Sequence, residues 1–253
     1  MPVKKPHPLT ILFEDTHLIV LSKPAGMLSQ GEKTGDYNLV DWLREYLGRN
    51  YVGLIHRLDR NTSGVMLVAK RTKAAQRLTE SLQKGEIVRS YLAWVKGAIP
   101  QAARWRHFLA KDEKLNLTRV VQAQAPGAKE AILSIRPLIR GELETQSMTL
   151  AEFTLETGRS HQIRAQASHE GHPLIGDIKY GGPRTPLISR PALHSFHIEF
   201  PHPMGDAPMS FTAPLPEDFL AIFKRISGSI PSDSDRLLGR ILARIPRQGG
   251  SET

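Results

Sequence analysis

From Ile87 onward the chain is written mostly in short alternating runs, and no other feature limits its architecture as much. IVRSYLAWVK, Ile87 to Lys96, alternates with a period of two, which puts Ile87, Arg89, Tyr91, Ala93 and Val95 on one face. Further strands are predicted around Arg119–Gln122, Ala131–Leu138, Met148–Glu156, Leu193–Phe200 and Met209–Ala213. Between them one short helix is predicted, from about Ser160 to Glu170, closed by Gly171 and Pro173. Strands so rarely separated by helices favour an α+β protein with a mixed, mainly antiparallel sheet and flanking helices.

Earlier in the chain, Ile11–Phe13 and Leu18–Leu21 read as two short strands before Lys23-Pro24-Ala25-Gly26 breaks the pattern. Leu39, Leu43 and Leu47 have helical spacing, with Asp36 near the start and Gly48 at the stop. A second helix is predicted with Thr72 as its cap, Ala75, Leu78 and Leu82 as its apolar stripe and Gly85 at its end. The one convincing linker is Ser227 to Ser234. It divides the chain into a main domain over 1–226 and an extension over 227–253, where Arg236, Arg240 and Arg244 oppose an apolar side in a basic amphipathic helix. That helix reads either as a terminal helix docked on the body or as an extra arm for an RNA backbone.

Charge narrows the partners. The formal net charge of +9 over 253 residues creates a field suited to a polyanion, which makes nucleic acid a lead. The absence of cysteine excludes disulfides, thiolate zinc sites and cysteine nucleophiles. The basic start lacks an apolar segment of signal-peptide length, and the longest apolar runs are far short of a membrane span. A cytoplasmic protein without membrane contact is the expectation, acting as a monomer.

The stretch most suggestive of chemistry is LIHRLDRNTSGVMLVAK, Leu54 to Lys70, where two apolar runs are interrupted by His56, Arg57, Asp59 and Arg60. Taken locally, Asp59 is an ordinary turn residue bonding to nearby amides. Two features set it apart. Arg57 and Arg60 flank it and favour its ionised form. It also leads into Thr62-Ser63-Gly64 and a very apolar strand, which would hold the loop rigidly, and a rigid carboxylate is suited to act as nucleophile or base.

His56-Arg57-Leu58-Asp59 followed by Thr62-Ser63-Gly64 resembles the signature of the RluA-type pseudouridine synthases. Lys23-Pro24-Ala25-Gly26 is similar to the family's early Lys-Pro-x-Gly turn, and Arg89-Ser90-Tyr91-Leu92-Ala93 to its Lys-x-Tyr-x-Ala strand, with arginine in place of the lysine. Thr157-Gly158-Arg159-Ser160-His161-Gln162-Ile163-Arg164 matches its Thr-Gly-Arg-x-His-Gln-x-Arg segment, and His172 to Asp177 with Tyr180-Gly181 match the family's next segment. The resemblance implies the pseudouridine synthase fold with a catalytic cleft inside 1–226. It also implies isomerisation of uridine to pseudouridine in structured RNA, ribosomal or transfer, with neither redox cofactor nor catalytic metal. By the same resemblance Asp59 is the essential acid, Tyr91 supplies a ring for stacking and a hydroxyl for the C5 proton, and Arg164 pairs with Asp59 across the cleft. Arg57 supports extrusion of the uridine, Ile163 packs against the base, His56 orients the loop, and Arg60 and Thr62 complete the substrate-binding set. Many relatives carry an accessory RNA-binding domain. With only about nine residues ahead of the first strand, none is expected here.

Two other readings compete. His161, His169 and His172 suggest a metal site, but they lack His-Glu-x-x-His spacing and a carboxylate at a matching position, so no metal is expected. A non-catalytic RNA-binding or ribosome-assembly factor on the same fold fits the composition equally well. Against it stands the joint presence of Asp59, Tyr91 and Arg164, since an acid near phosphate weakens binding.

Overall fold

The computed structural model describes residues 9–32, 35–143 and 145–227. Its first half contains β1 (Thr10–Glu14), β2 (Leu18–Lys23), α1 (Leu39–Leu47), β3 (Gly53–Leu54), β4 (Ser63–Ala69), α2 (Thr72–Gln83), β5 (Val88–Lys96) and β6 (Ala103–Asp112). The second half contains β7 (Leu117–Val121), β8 (Lys129–Leu143), β9 (Gln146–Leu155), α3 (Gln162–His169), β10 (Leu193–Pro201), β11 (Pro208–Thr212) and α4 (Glu217–Ser227). Ser227 apart, the expected linker and basic helix lie outside the described residues.

Hydrogen bonding orders the strands β1-β2-β4-β10-β5-β9-β8-β6-β7, with β3 added to β4 and β11 to β10. Neighbours run antiparallel except β4 and β10, which meet in parallel at Ser63–His194 and Gly64–Ser195. This is the mixed, mainly antiparallel sheet expected from the sequence. The parallel contact explains one residue of the signature. Gly64 has φ 121°, and a Cβ there would lie 2.1 Å from the Ser195 carbonyl oxygen, so only glycine lets the two backbones approach this closely.

The alternation expected over Ile87 to Lys96 is strand β5, which lies between β10 and β9 with apolar layers on both faces. Tyr91, Ala93 and Val95 enter one cluster, while Leu92 and Trp94 enter a second with Phe219, Ile222, Phe223 and Ile226 of α4. The cap of α1 is Asn38, whose side-chain oxygen accepts from the Val40 and Asp41 amides at 3.1 and 3.3 Å. Thr72 does not cap α2; it is the first helical residue, after Arg71, which makes no side-chain cap bond. Strand β6 was not predicted. Its Arg104 and Arg106 pair across the sheet surface with Glu156 and Glu130, so charged positions that read as loop belong to a ladder.

Candidate active site

Asp59 sits in the loop between β3 and β4, and remote groups pin that loop. Lys23, completely buried at the end of β2, donates to the carbonyls of Pro24 at 2.9 Å, Met27 at 2.8 Å and Arg60 at 3.2 Å. Three acceptors match the three protons of an ammonium group. Burial nevertheless pulls its pKa down to about 7, with the Asp59 charge opposing and Arg190 assisting. The Ser29 hydroxyl donates to the Leu58 carbonyl at 2.7 Å and accepts from the Leu58 amide at 3.1 Å. Arg190 donates to the Asn61 carbonyl while its guanidinium makes two 2.7 Å bonds to Asp218. The Thr62 amide closes the turn on the Asp59 carbonyl at 3.0 Å. Such a loop holds its carboxylate with little freedom, as a preorganised site requires.

Across the cleft, α3 presents Arg164. Its Nε and Nη2 donate to the two carboxylate oxygens of Asp177 at 2.7 and 2.9 Å, and its Nη1 donates to Asp59 Oδ2 at 3.2 Å. Asp177 is 1% exposed, so the fork is a buried, bidentate pair that aims the remaining nitrogen at Asp59. The Tyr180 ring lies 4.7 Å from the guanidinium carbon. The hydroxyl of Tyr180 accepts from the Thr118 amide and meets His161 Nδ1, both at 2.9 Å. Either partner of the Tyr180–His161 contact can supply the proton, according to the tautomer of the ring. His161 Nε2 lies 3.8 Å from Asp59 Oδ2. Burial lowers the pKa of His161, against the pull of Asp59.

The start of α3 is shaped by its own sequence. His161 takes the left-handed conformation, φ 51°. The Gln162 oxygen accepts from the Thr157 hydroxyl and the Arg159 amide at 2.9 Å each, and its amide donates to the Ile132 carbonyl at 3.0 Å. Gln162 thereby ties the Thr-Gly-Arg turn to β8 and sets the direction of Arg164.

Asp59, Arg164, Tyr91, Ile163, His56, Arg57, Arg60 and Thr62 all line one cleft of about 960 Å3. Its lining contains seven arginine and lysine side chains against three carboxylates, a positive field for a polyanion. Tyr91 is 5% exposed; burial pushes its phenol pKa up, with Arg89 and Ser195 opposing. His56 is buried, and its Nε2 accepts from the Leu67 amide at 3.1 Å, which ties the loop to β4. Burial lowers its pKa to about 3, assisted by the Arg89 charge.

One expectation is corrected. The neighbours of Asp59 in sequence are not its counter-ions: Arg60 pairs with Asp36, and Arg57 is exposed without an ion pair among the described residues. The cation on Asp59 comes from Arg164, 105 positions away. Sequence reasoning gave no role to Asp177, Tyr180, Lys23 or Arg190. The first three stand inside the matched motifs, which was their only signal; Arg190 had none.

Known proteins resemble this chain over most of its length. Residues 17–169 match the family described as RNA pseudouridylate synthase. A Bacillus subtilis protein named as an uncharacterized RNA pseudouridine synthase is 36% identical over 238 residues, covering 87% of this chain and 77% of its own length. Ribosomal large subunit pseudouridine synthase D of Neisseria meningitidis (serogroup A) is 34% identical over 232 residues, covering 85% of this chain; the match spans 60% of the Neisseria protein. The solved structure of human RNA pseudouridylate synthase domain containing 4 superposes with a TM-score of 0.69 at 22% identity, over 85% of this chain and 92% of that one, which supports the fold.

Proposed function

The chain belongs to the RNA pseudouridylate synthase family and isomerises uridine to pseudouridine in RNA; we propose that Asp59 carries the reaction and that large-subunit ribosomal RNA is the substrate. The observation that supports the site is the Asp59–Arg164 contact at 3.2 Å, backed by Asp177 inside a cleft that also holds Tyr91. A negative group at the ribose assists the breaking of the glycosidic bond, and that part is given to Asp59. Tyr91 offers a ring for the extruded base and a hydroxyl for the C5 proton, Ile163 packs against that base, and Arg164 keeps Asp59 charged and aimed. His56 and Thr62 hold the loop. Arg57 and Arg60, exposed at the cleft, meet the backbone of the flipped nucleotide.

The choice of RNA is supported by relatives such as the Neisseria protein, named for the large ribosomal subunit. A cytoplasmic, monomeric enzyme of one domain over 1–226, extended by 227–253, fits this role. Among the described residues no helix is long and apolar enough to cross a membrane.

The test is pseudouridine mapping of large-subunit ribosomal RNA incubated with wild-type protein or with Asp59→Asn. The wild type should form pseudouridine at a defined position, and the variant should bind the RNA but form none. Product from Asp59→Asn at the wild-type rate removes the role given to the carboxylate, and product in transfer RNA alone removes the substrate assignment.

A further inference from the structure

Three buried arginines serve the cleft and its walls, and one of them is unlike the others. Arg164, Arg190 and Arg89 are 8%, 7% and 7% exposed. Arg164 and Arg190 each make a two-pronged contact with an aspartate. Arg89 makes no hydrogen bond or ion pair with any described residue, and its Nε is buried without a partner. Of its three nitrogens only Nε is sealed off; the two terminal ones, equally without a partner among the described residues, keep access to the cleft, where something outside the chain can complete the group.

Its position indicates what that is. Arg89 and Tyr91 are i and i+2 on β5 and lie on one face, roughly 7 Å apart along the strand; both line the cleft with Asp59. The guanidinium crosses to the turn before α3, where Nη1 would lie 2.9 Å from a Cβ on Gly158. His56 also lines this cleft. Because its Nε2 accepts from the Leu67 amide, the neutral ring carries its proton on Nδ1, and this donor too is buried and unpartnered. Two orphaned donors, one cationic, neither of them paired with a carboxylate among the described residues, form a site for a small group of oxygen acceptors that gains negative charge.

We propose that Arg89, with the Nδ1–H of His56, stabilises the oxygens of the uracil ring as the base leaves the sugar. This rests on the isomerase reading and adds the group that supports its leaving base. When the C1′–N1 bond breaks, its electron pair goes to the ring and spreads over N1, O2 and O4. The ring turns, C5 bonds to C1′, the C5 proton is lost and N1 takes a proton, so nothing is gained or lost overall. A donor set facing those oxygens acts most strongly while the charge is present, and such a donor accelerates the step it serves. A phosphate fits less well. It carries its charge before, during and after the reaction, and the exposed Arg57, Arg60 and Arg159 are open to it.

The experiment compares wild type, Arg89→Met and Arg89→Lys in single-turnover assays on RNA bearing either uridine or 5-fluorouridine at the target position, following loss of the original nucleoside. Fluorine withdraws electrons and makes the base a better leaving group, so it lessens the need for Arg89. Arg89→Met should slow the uridine reaction by about 100-fold, with RNA affinity within about two-fold of wild type and thermal stability not reduced. It should slow the 5-fluorouridine reaction by a much smaller factor, and Arg89→Lys should recover part of the rate. Deuterium at C5 of uridine should slow Arg89→Met no more than wild type. Equal losses on both substrates, or a loss of RNA affinity that accounts for the rate, would assign Arg89 to packing or to phosphate and overturn the proposal. A larger deuterium effect in Arg89→Met would place it behind the Tyr91 proton step and overturn it equally. Wild type that forms no pseudouridine at all would instead refute the isomerase reading itself.

Discussion

Replacing Asp177 by asparagine tests the energetics of the site most directly. The substitution preserves shape and removes charge. Of the two contacts that Asp177 accepts from Arg164, at 2.7 and 2.9 Å, an amide oxygen keeps one; the amide nitrogen then opposes a guanidinium N–H. Arg164 is left buried, facing Asp59 alone. Breaking a buried ion pair by removing one partner costs about 3–5 kcal/mol. With a urea m-value of about 2–3 kcal/mol/M for a chain of this size, the unfolding midpoint should fall by about 1–2.5 M. Arg164→Met should produce a similar loss, because Asp177 is then buried alone. The double variant leaves neither charge stranded, so its loss should fall short of the sum of the two single losses by about 2 kcal/mol or more. Single-turnover rates should follow the same logic. Asp177→Asn lowers the rate because Arg164 is no longer aimed, while in the Arg164→Met background the same change has no further effect. Stability losses additive to within about 0.5 kcal/mol, or a rate loss from Asp177→Asn that persists without Arg164, would refute the view that Asp177 acts through the arginine.

Tyr91→Phe keeps the ring and removes the hydroxyl, so RNA affinity should survive while turnover falls by about 100-fold or more; unchanged turnover would remove the hydroxyl from the proton step. Gly64→Ala places a Cβ 2.1 Å from the Ser195 carbonyl and should destabilise the fold by about 3 kcal/mol or more; a midpoint equal to wild type in urea would show that β4 and β10 can separate there. Burial holds His56 at about 3 and His194 at about 4, below the value of about 6.5 in the unfolded chain. Between those limits the unfolded chain binds more protons, so stability falls as pH drops below about 6.5, at up to about 1.4 kcal/mol per pH unit for each residue. The urea midpoint should therefore be lower at pH 5 than at pH 7, with a smaller difference in His194→Gln; a midpoint independent of pH over that range contradicts the burial of both rings.

The fold was legible wherever a single strand or helix states its own pattern. Leu39, Leu43 and Gly48 mark α1, and the alternation of Ile87 to Lys96 marks β5. What stayed illegible is decided by partners distant in sequence. Whether one or both faces of β5 are buried depends on α4, whose Phe219 and Ile222 lie more than a hundred residues later and cover Trp94. Strand β6 reads as loop because Arg104 and Arg106 stand in it, and only the opposing Glu156 and Glu130 make those positions compatible with a sheet. In the cleft, Asp59, Tyr91 and Arg164 were visible through their motifs. The carbonyl that Arg190 holds at Asn61, 129 positions away, has no local signature.

The two arginines beside Asp59 show why adjacency in sequence misleads about electrostatics. In a tight loop consecutive side chains diverge, and here Arg57 points to solvent while Arg60 turns to Asp36. The carboxylate is left open on the side where α3 delivers Arg164. This division serves the reaction better than a clamp of near neighbours would. A counter-ion buried with Asp177 and only 10% exposed in its side chain is shielded from salt and from phosphate, so it stays with Asp59 when RNA enters. The Arg60–Asp36 pair is 42% and 49% exposed in its side chains, and an exposed pair contributes about 0–1 kcal/mol. Arg60 can therefore exchange Asp36 for a phosphate at little loss. Buried cations set the chemistry and exposed ones meet the polymer, so raising salt should weaken RNA binding while leaving the rate of the bound complex nearly unchanged.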